Sequence, residues 1–143
     1  MLYLVRGLPG AGKSTLSTDL GYLGVEADDF FVNSEGEYVF DPSKLGEAHA
    51  WCQTQCRALL QDPAAKVAVG NTFTQRWELE PYLLMAKELG IDVIVIDVFD
   101  GGCTDEELFA RNSHGVPLAA ITQMRARYEH CWRTGNPTPP WER

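Results

Sequence analysis

The stretch Leu2-Tyr3-Leu4-Val5-Arg6-Gly7-Leu8-Pro9-Gly10-Ala11-Gly12-Lys13-Ser14-Thr15 decides the fold. A short apolar run that reads as a buried parallel strand passes directly into Gly-x-x-x-x-Gly-Lys-Ser, and the residues after it suit a helix. Glycines at both ends of the loop let the backbone turn tightly and aim its N–H groups inward, while Lys13 adds a point charge and Ser14 a hydroxyl for Mg²⁺. This is a phosphate-binding P-loop in the strand-then-helix context that its chemistry requires. Gly10, Ala11, Gly12, Lys13, Ser14 and Thr15 are therefore the expected nucleotide contacts.

Working outward, strand and helix patterns alternate. Further strands are expected near Gly24–Ala27, at Lys66–Val69 and over Ile91–Phe99, whose β-branched Val93-Ile94-Val95-Ile96 suits a strand buried on both faces. Alternation of this kind predicts an α/β fold, a four-stranded parallel sheet with helices on both faces. The first helix is expected to end near Tyr22. A second is capped by Asp41 with Pro42 in its first turn and carries Leu45, His49, Cys52, Cys56 and Leu59 on one stripe. A third runs from about Trp77 to Leu89, with Pro81 fitting a first turn better than an interior. Thr104 caps Asp105–Asn112, and Pro117 opens a last helix with Leu118, Ile121, Met124, Tyr128 and Cys131 on one face. Trp141, in a Pro-rich tail, is expected to pack onto the body.

The chain has 143 residues, of which 45% are hydrophobic, enough for one domain with a real core. We expect a single domain over residues 1–143, with a helical lid at about 104–117. No apolar run approaches the length of a membrane span and no leader pattern precedes the first strand, so a cytoplasmic protein without membrane contact is expected. Four cysteines without a C-x-x-C pair should remain thiols, and the His49, Cys52, Cys56 spacing reads as helix core, so no structural metal is expected. A net charge of −8 argues against broad electrostatic adhesion to nucleic acid but leaves room for a local basic face around Arg111, Arg125, Arg127 and Arg133.

Three places can carry chemistry. At the end of the second strand, Glu26-Ala27-Asp28-Asp29-Phe30-Phe31 brings two adjacent carboxylates to the side where open α/β sheets bind ligands. Asp28 can take the proton of an attacking hydroxyl, with Asp29 nearby, and either can otherwise cap a turn. Asp28 is also, with Ser14, the expected metal ligand. The third strand ends in Gly70-Asn71-Thr72-Phe73-Thr74, where Asn71 could orient an acceptor without adding charge. The loop Arg111-Asn112-Ser113-His114-Gly115-Val116-Pro117 joins two helices and can deliver an arginine to a transferring phosphoryl group. Arg111 is the expected catalytic arginine, Arg127 an acceptor contact, and His114 a local hydrogen-bonding residue. Phe30, Phe31, Phe73 and Trp77 could wall an acceptor base or fill the core.

In order along the chain stand the P-loop, Asp28-Asp29, Tyr38-x-Phe40-x-Pro42, Ala48-His49, Asn71-Thr72, Glu78-Leu79-x-Pro81-Tyr82, Arg111-Asn112-x-His114-Gly115-Val116-Pro117 and Met124-x-x-Arg127-Tyr128-Glu129. Together they resemble P-loop kinase domains of the NEDD4-binding protein 2 type and, more distantly, the kinase half of phage-type polynucleotide 5′-hydroxyl kinases. That resemblance implies a P-loop kinase three-layer sandwich that uses ATP and Mg²⁺. It also implies Asp28 as general base toward a hydroxyl, Lys13 and Ser14 on the nucleotide, and Arg111 on the lid. Phage-type enzymes carry an acceptor-gripping arginine where Phe31 stands and an aspartate where Asn71 stands, and nothing here corresponds to a 3′-phosphatase domain. The expected acceptor is the 5′-hydroxyl of a nucleic-acid end. A small hydroxyl acceptor such as a nucleoside or sugar, and a non-catalytic nucleotide switch, are the alternatives.

Overall fold

A computed structural model describes residues 1–143. Its centre is a four-stranded sheet of β1 (Leu2–Arg6), β2 (Leu23–Val25), β3 (Val67–Asn71) and β4 (Val93–Asp97), in the order β2-β3-β1-β4 and parallel throughout. Leu2 pairs with Val67 on one side and Val93 on the other, and Arg6 with Asn71 and Asp97, so the three strand ends finish level.

The pleat assigns alternate residues to the two faces. Leu2, Leu4, Val67 and Val69 are fully buried on one face, against Ala48, Cys52 and Cys56 of α2 (Leu45–Leu59) and Leu79, Tyr82, Met85 and Ala86 of α3 (Arg76–Leu89). Each buried Leu, Val or Met side chain here contributes roughly 1.5–3 kcal/mol. α1 (Lys13–Asp19) lies along the opposite face, and just beyond it Tyr22 stacks on Tyr3 of β1 at 4.2 Å. A smaller core of Leu8, Leu108 and Ile121 joins the P-loop to the hairpin of α4 (Asp105–Arg111) and α5 (Leu118–Arg127). No helix is long and apolar enough to cross a membrane.

Several elements differ from the sequence reading. β4 is an edge strand, paired only with β1, and Ile94 is 43% exposed. A β-branched run satisfies an edge as readily as a centre, because strand propensity does not count neighbours. The buried stripe of α2 is Ala48, Cys52 and Cys56, with Leu45 and His49 turned to solvent. α3 begins at Arg76 behind a capping box between Gln75 and Glu78, which carries Pro81 past the first turn. α5 stops at Arg127, and Tyr128 turns to extended backbone (ψ 118°) because the Glu129 N–H is drawn to the Thr74 carbonyl at 2.7 Å. Trp141 makes an edge contact with Trp77 at 5.2 Å but stays 73% exposed.

Candidate active site

The chain leaves β1 toward β2 by way of α1, and leaves β3 toward β4 by way of α3, on opposite sheet faces. The crevice beyond the adjacent ends of β1 and β3 is thus the switch point of this sheet, where α/β folds bind ligands. The P-loop occupies it. Gly10, at φ 81°, lies so close to α4 that an added Cβ would stand 2.6 Å from the Leu108 carbonyl oxygen. Lys13 folds back over the loop and donates to the carbonyls of Gly7 at 2.7 Å and Leu8 at 3.1 Å. Burial lowers its pKa to about 8, against the opposing pull of the Glu26 and Asp28 carboxylates. Ser14 and Thr15 are exposed on the first turn of α1, and the Ser14 hydroxyl donates to Glu26 Oε1.

Glu26 ends the run after β2, and a 3₁₀ turn over Ala27–Phe31 follows. Its residues face three ways. Asp29 turns back and accepts the Glu26 N–H at 3.0 Å, which is a capping role. Phe31 turns inward, only 6% exposed, with Phe30, Tyr38 and Phe40 against its ring. Asp28 points outward: Oδ1 accepts the Tyr38 hydroxyl at 3.0 Å, and Oδ2 stands 4.0 Å from His114 Nε2. Burial and the neighbouring carboxylate raise the Tyr38 pKa, so its hydroxyl stays a donor. His114 also reaches 3.9 Å from Glu26 Oε2 and lies 4.7 Å from the Tyr38 ring. Burial raises the pKa of Glu26, partly offset by the Ser14 hydroxyl.

The arginines sort by their partners. Arg111, exposed, has Nη1 3.1 Å from Cys103 Sγ, and its Cβ would lie 3.4 Å from a Cβ at Gly10, so it sits at the P-loop rim. Arg125 is held by Asp105 at 2.5 Å, Asp100 at 3.1 Å and the Cys103 carbonyl at 3.0 Å. Arg127 donates through Nε to Thr74 Oγ1 at 3.2 Å, at the exit of β3.

Two residues expected at the acceptor are corrected by their packing. Asn71 is 9% exposed: its oxygen accepts the Ala27 N–H at 2.9 Å and its nitrogen lies 3.8 Å from Cys52 Sγ, so the amide secures the β2 exit from inside. Phe31, like Phe73, belongs to the core cluster. Around Asp28 and Ser14 the structure gathers Glu26, Tyr38 and His114, which sequence reasoning did not assign to the site. The adjacency of Glu26 to the aspartate pair, and the Tyr38-x-Phe40 pattern, were the available signals. Ser14, Glu26 and Asp28 offer oxygen donors to a hard cation such as Mg²⁺, although the chain has no cluster of three or more metal-ligating side chains. A cavity of about 230 Å³ opens instead beside β4, between Leu8, Asp97, Phe99, Arg125 and Tyr128, and includes neither Lys13 nor Asp28.

A family model described as an AAA domain (AAA_33), a P-loop family, matches residues 2–131. The chain belongs to that family. The chain is also 34% identical over 136 residues to NEDD4-binding protein 2 of Homo sapiens, spanning 90% of this chain and 8% of that protein. Among solved structures, a protein in "Structure of the Pnkp1/Rnl/Hen1 RNA repair complex" superposes with a TM-score of 0.70 at 19% identity, covering 96% of this chain and 47% of that one. Shikimate kinase from Aquifex aeolicus vf5 superposes with a TM-score of 0.53 at 18% identity, covering 99% and 90%. The chain thus has a P-loop kinase fold, and it spans less than a tenth of the human relative and about half of the repair-complex protein.

Proposed function

We propose that this P-loop domain is an ATP- and Mg²⁺-dependent phosphotransferase whose acceptor is the 5′-hydroxyl of a nucleic-acid end. The observation that carries the reading is Asp28, standing beyond the end of β2 with one oxygen fixed by Tyr38 and the other toward His114. It lies close enough to the P-loop for its charge to act on Lys13, and a carboxylate oriented there can take the proton of an attacking hydroxyl. In the transfer, the acceptor oxygen bonds to the γ-phosphorus, its proton passes to Asp28, and the bond to the β-phosphate oxygen breaks to release ADP. Lys13 leaves the Gly7 and Leu8 carbonyls for the β- and γ-phosphates. Bound Mg²⁺ neutralises phosphate charge. The hairpin around residues 104–117 acts as a lid, and from it Arg111 stabilises charge on the transferring group. Arg127, which donates to the Thr74 hydroxyl at the exit of β3, contributes to acceptor binding.

A nucleic-acid end is supported by the motif pattern and by the likeness to a protein of an RNA repair complex. The net charge of −8 and the inward Phe31 favour a second reading, a small-molecule acceptor. The test is transfer of labelled γ-phosphate to 5′-hydroxyl DNA and RNA oligonucleotides, nucleosides and small sugars, with Asp28→Asn as control. Label on oligonucleotide ends that disappears in Asp28→Asn supports the proposal. Label on a small acceptor alone replaces it with the second reading, and nucleotide binding without transfer would make the domain a switch.

A further inference from the structure

In a P-loop the hydroxyl after the lysine is a ligand of the nucleotide's Mg²⁺, and an acid from a neighbouring strand commonly completes the site. The β3 exit offers no charge here, because Asn71 is an amide with both ends directed inward. The carboxylate that touches Ser14 comes from β2: Glu26 Oε1 accepts the Ser14 hydroxyl. The Glu26 carboxylate passes close over Gly70, where a Cβ would stand 3.3 Å from Oε1 and 3.5 Å from Cγ of Glu26. Asp28, expected from sequence to bind the metal, instead has one oxygen on Tyr38 and the other toward His114.

We propose that Glu26, together with Ser14, holds the divalent cation of a nucleotide bound at the P-loop, leaving Asp28 to the acceptor. This rests on the phosphotransferase reading, and it divides two roles that the sequence placed on one residue. With no cluster of three metal-ligating side chains in the chain, nucleotide oxygens and water supply the remaining ligands, so the cation arrives with the nucleotide. In the free protein Ser14 is held by Glu26, and Lys13 by loop carbonyls. Cation and phosphates replace both sets of contacts. Without the cation, the Glu26 carboxylate faces the phosphates as a like charge. Glu26 therefore makes nucleotide affinity depend on metal.

The test is titration of a fluorescent N-methylanthraniloyl ATP in Mg²⁺ and in EDTA, for the wild type, Glu26→Gln and Glu26→Asp. The wild type should bind more tightly in Mg²⁺, and Glu26→Gln should reduce that ratio by about tenfold or more, the scale of losing a metal-supporting side chain. Part of the change should be tighter binding in EDTA. Glu26→Asp keeps the charge and should retain most of the ratio. Because Gln still accepts the Ser14 hydrogen bond, an unchanged ratio in Glu26→Gln would mean that Glu26 only positions Ser14 and would overturn the inference. Should Glu26→Gln fail to fold, Mn²⁺ binding to the ADP complex of Glu26→Ala, which removes the carboxylate, followed by electron paramagnetic resonance, decides between the outcomes. An altered Mn²⁺ spectrum and affinity support the inference, and values equal to wild type overturn it. A wild type that binds no nucleotide in either buffer overturns the phosphotransferase reading itself, a result distinct from an unchanged ratio.

Discussion

Arg6 donates twice to one carbonyl: its Nε and Nη2 reach the Phe73 oxygen at 3.0 and 2.8 Å, and Phe73 is the one residue other than glycine with a positive φ, 47°. The same guanidinium, fully buried, donates to the carbonyls of Thr74 and Glu129 and to Asp97, and lies 4.2 Å from the Tyr128 ring centre. The left-handed turn after β3 is thus clamped to β1, β4 and the segment after α5. Asp97 is half exposed and keeps its water, so the loss comes from the carbonyls left without a donor, about 1–3 kcal/mol for each that stays buried. Arg6→Met should therefore lose roughly 3 kcal/mol in urea denaturation. Arg6→Lys should recover little, because one ammonium cannot reproduce the planar fork. A loss below about 1 kcal/mol, the scale of an exposed ion pair, would show that water satisfies these carbonyls.

Two P-loop glycines should respond differently to alanine. At Gly10 the added Cβ meets the Leu108 carbonyl at 2.6 Å, so Gly10→Ala must push the loop and α4 apart. At Gly12, φ 106°, the space is open, and only backbone strain of roughly 1–2 kcal/mol is expected. Hydrogen exchange should therefore show α4 and α5 loosened in Gly10→Ala and native in Gly12→Ala. Equal protection in both would sink the close-packing argument.

The arginines of the hairpin should separate in the same manner. Arg125 has two aspartates and a carbonyl as partners, whereas the side chain of Arg111 meets only the Cys103 sulfur. Arg125→Ala should lower stability by about 1 kcal/mol, as for partly exposed ion pairs. Arg111→Ala should leave the melting temperature alone and, with an arginine on the transferring group worth about 10³-fold or more, depress phosphoryl transfer steeply. Calorimetry beside single-turnover transfer reads both. An Arg111→Ala protein that transfers at the wild-type rate would remove the residue from the site.

Much of this was legible because the informative signals were local. Gly-x-x-x-x-Gly-Lys-Ser after an apolar strand implies the loop, the parallel sheet and the crevice together, and Asp28 follows from its place at the next strand end. What was hidden depends on distant partners. Arg6 ends an apolar run, and nothing near it in sequence shows that its partners are Phe73, Thr74, Asp97 and Glu129. The helical stripe through Tyr128 and Cys131 would prolong α5, but Glu129 is pulled away by Thr74 and by the Arg76 N–H, which donates to its carboxylate at 2.8 Å. Glu26 reads as a neighbour of the aspartates because nothing in the spacing reveals that its carboxylate passes over Gly70 to the Ser14 hydroxyl.

Lys13 supplies a prediction whose sign can be worked out in advance. Burial lowers its pKa from 10.5 to about 8 in the free protein, and phosphates beside it favour the charged form and raise it again. Nucleotide binding at pH 8 should therefore take up a proton at Lys13, about half per site if the bound value lies well above 8. Affinity should fall as pH rises above 8 and be flat with respect to this group near pH 6.5. Stability of the free protein should move the other way: between about 8 and 10.5 the unfolded chain binds the proton that the folded one has lost, so stability rises with pH there. Titration calorimetry at pH 8 in two buffers of different ionisation enthalpy measures the uptake, and denaturation across the same range measures the stability. Lys13→Met should abolish both trends. Uptake that persists in Lys13→Met would assign the proton to another group.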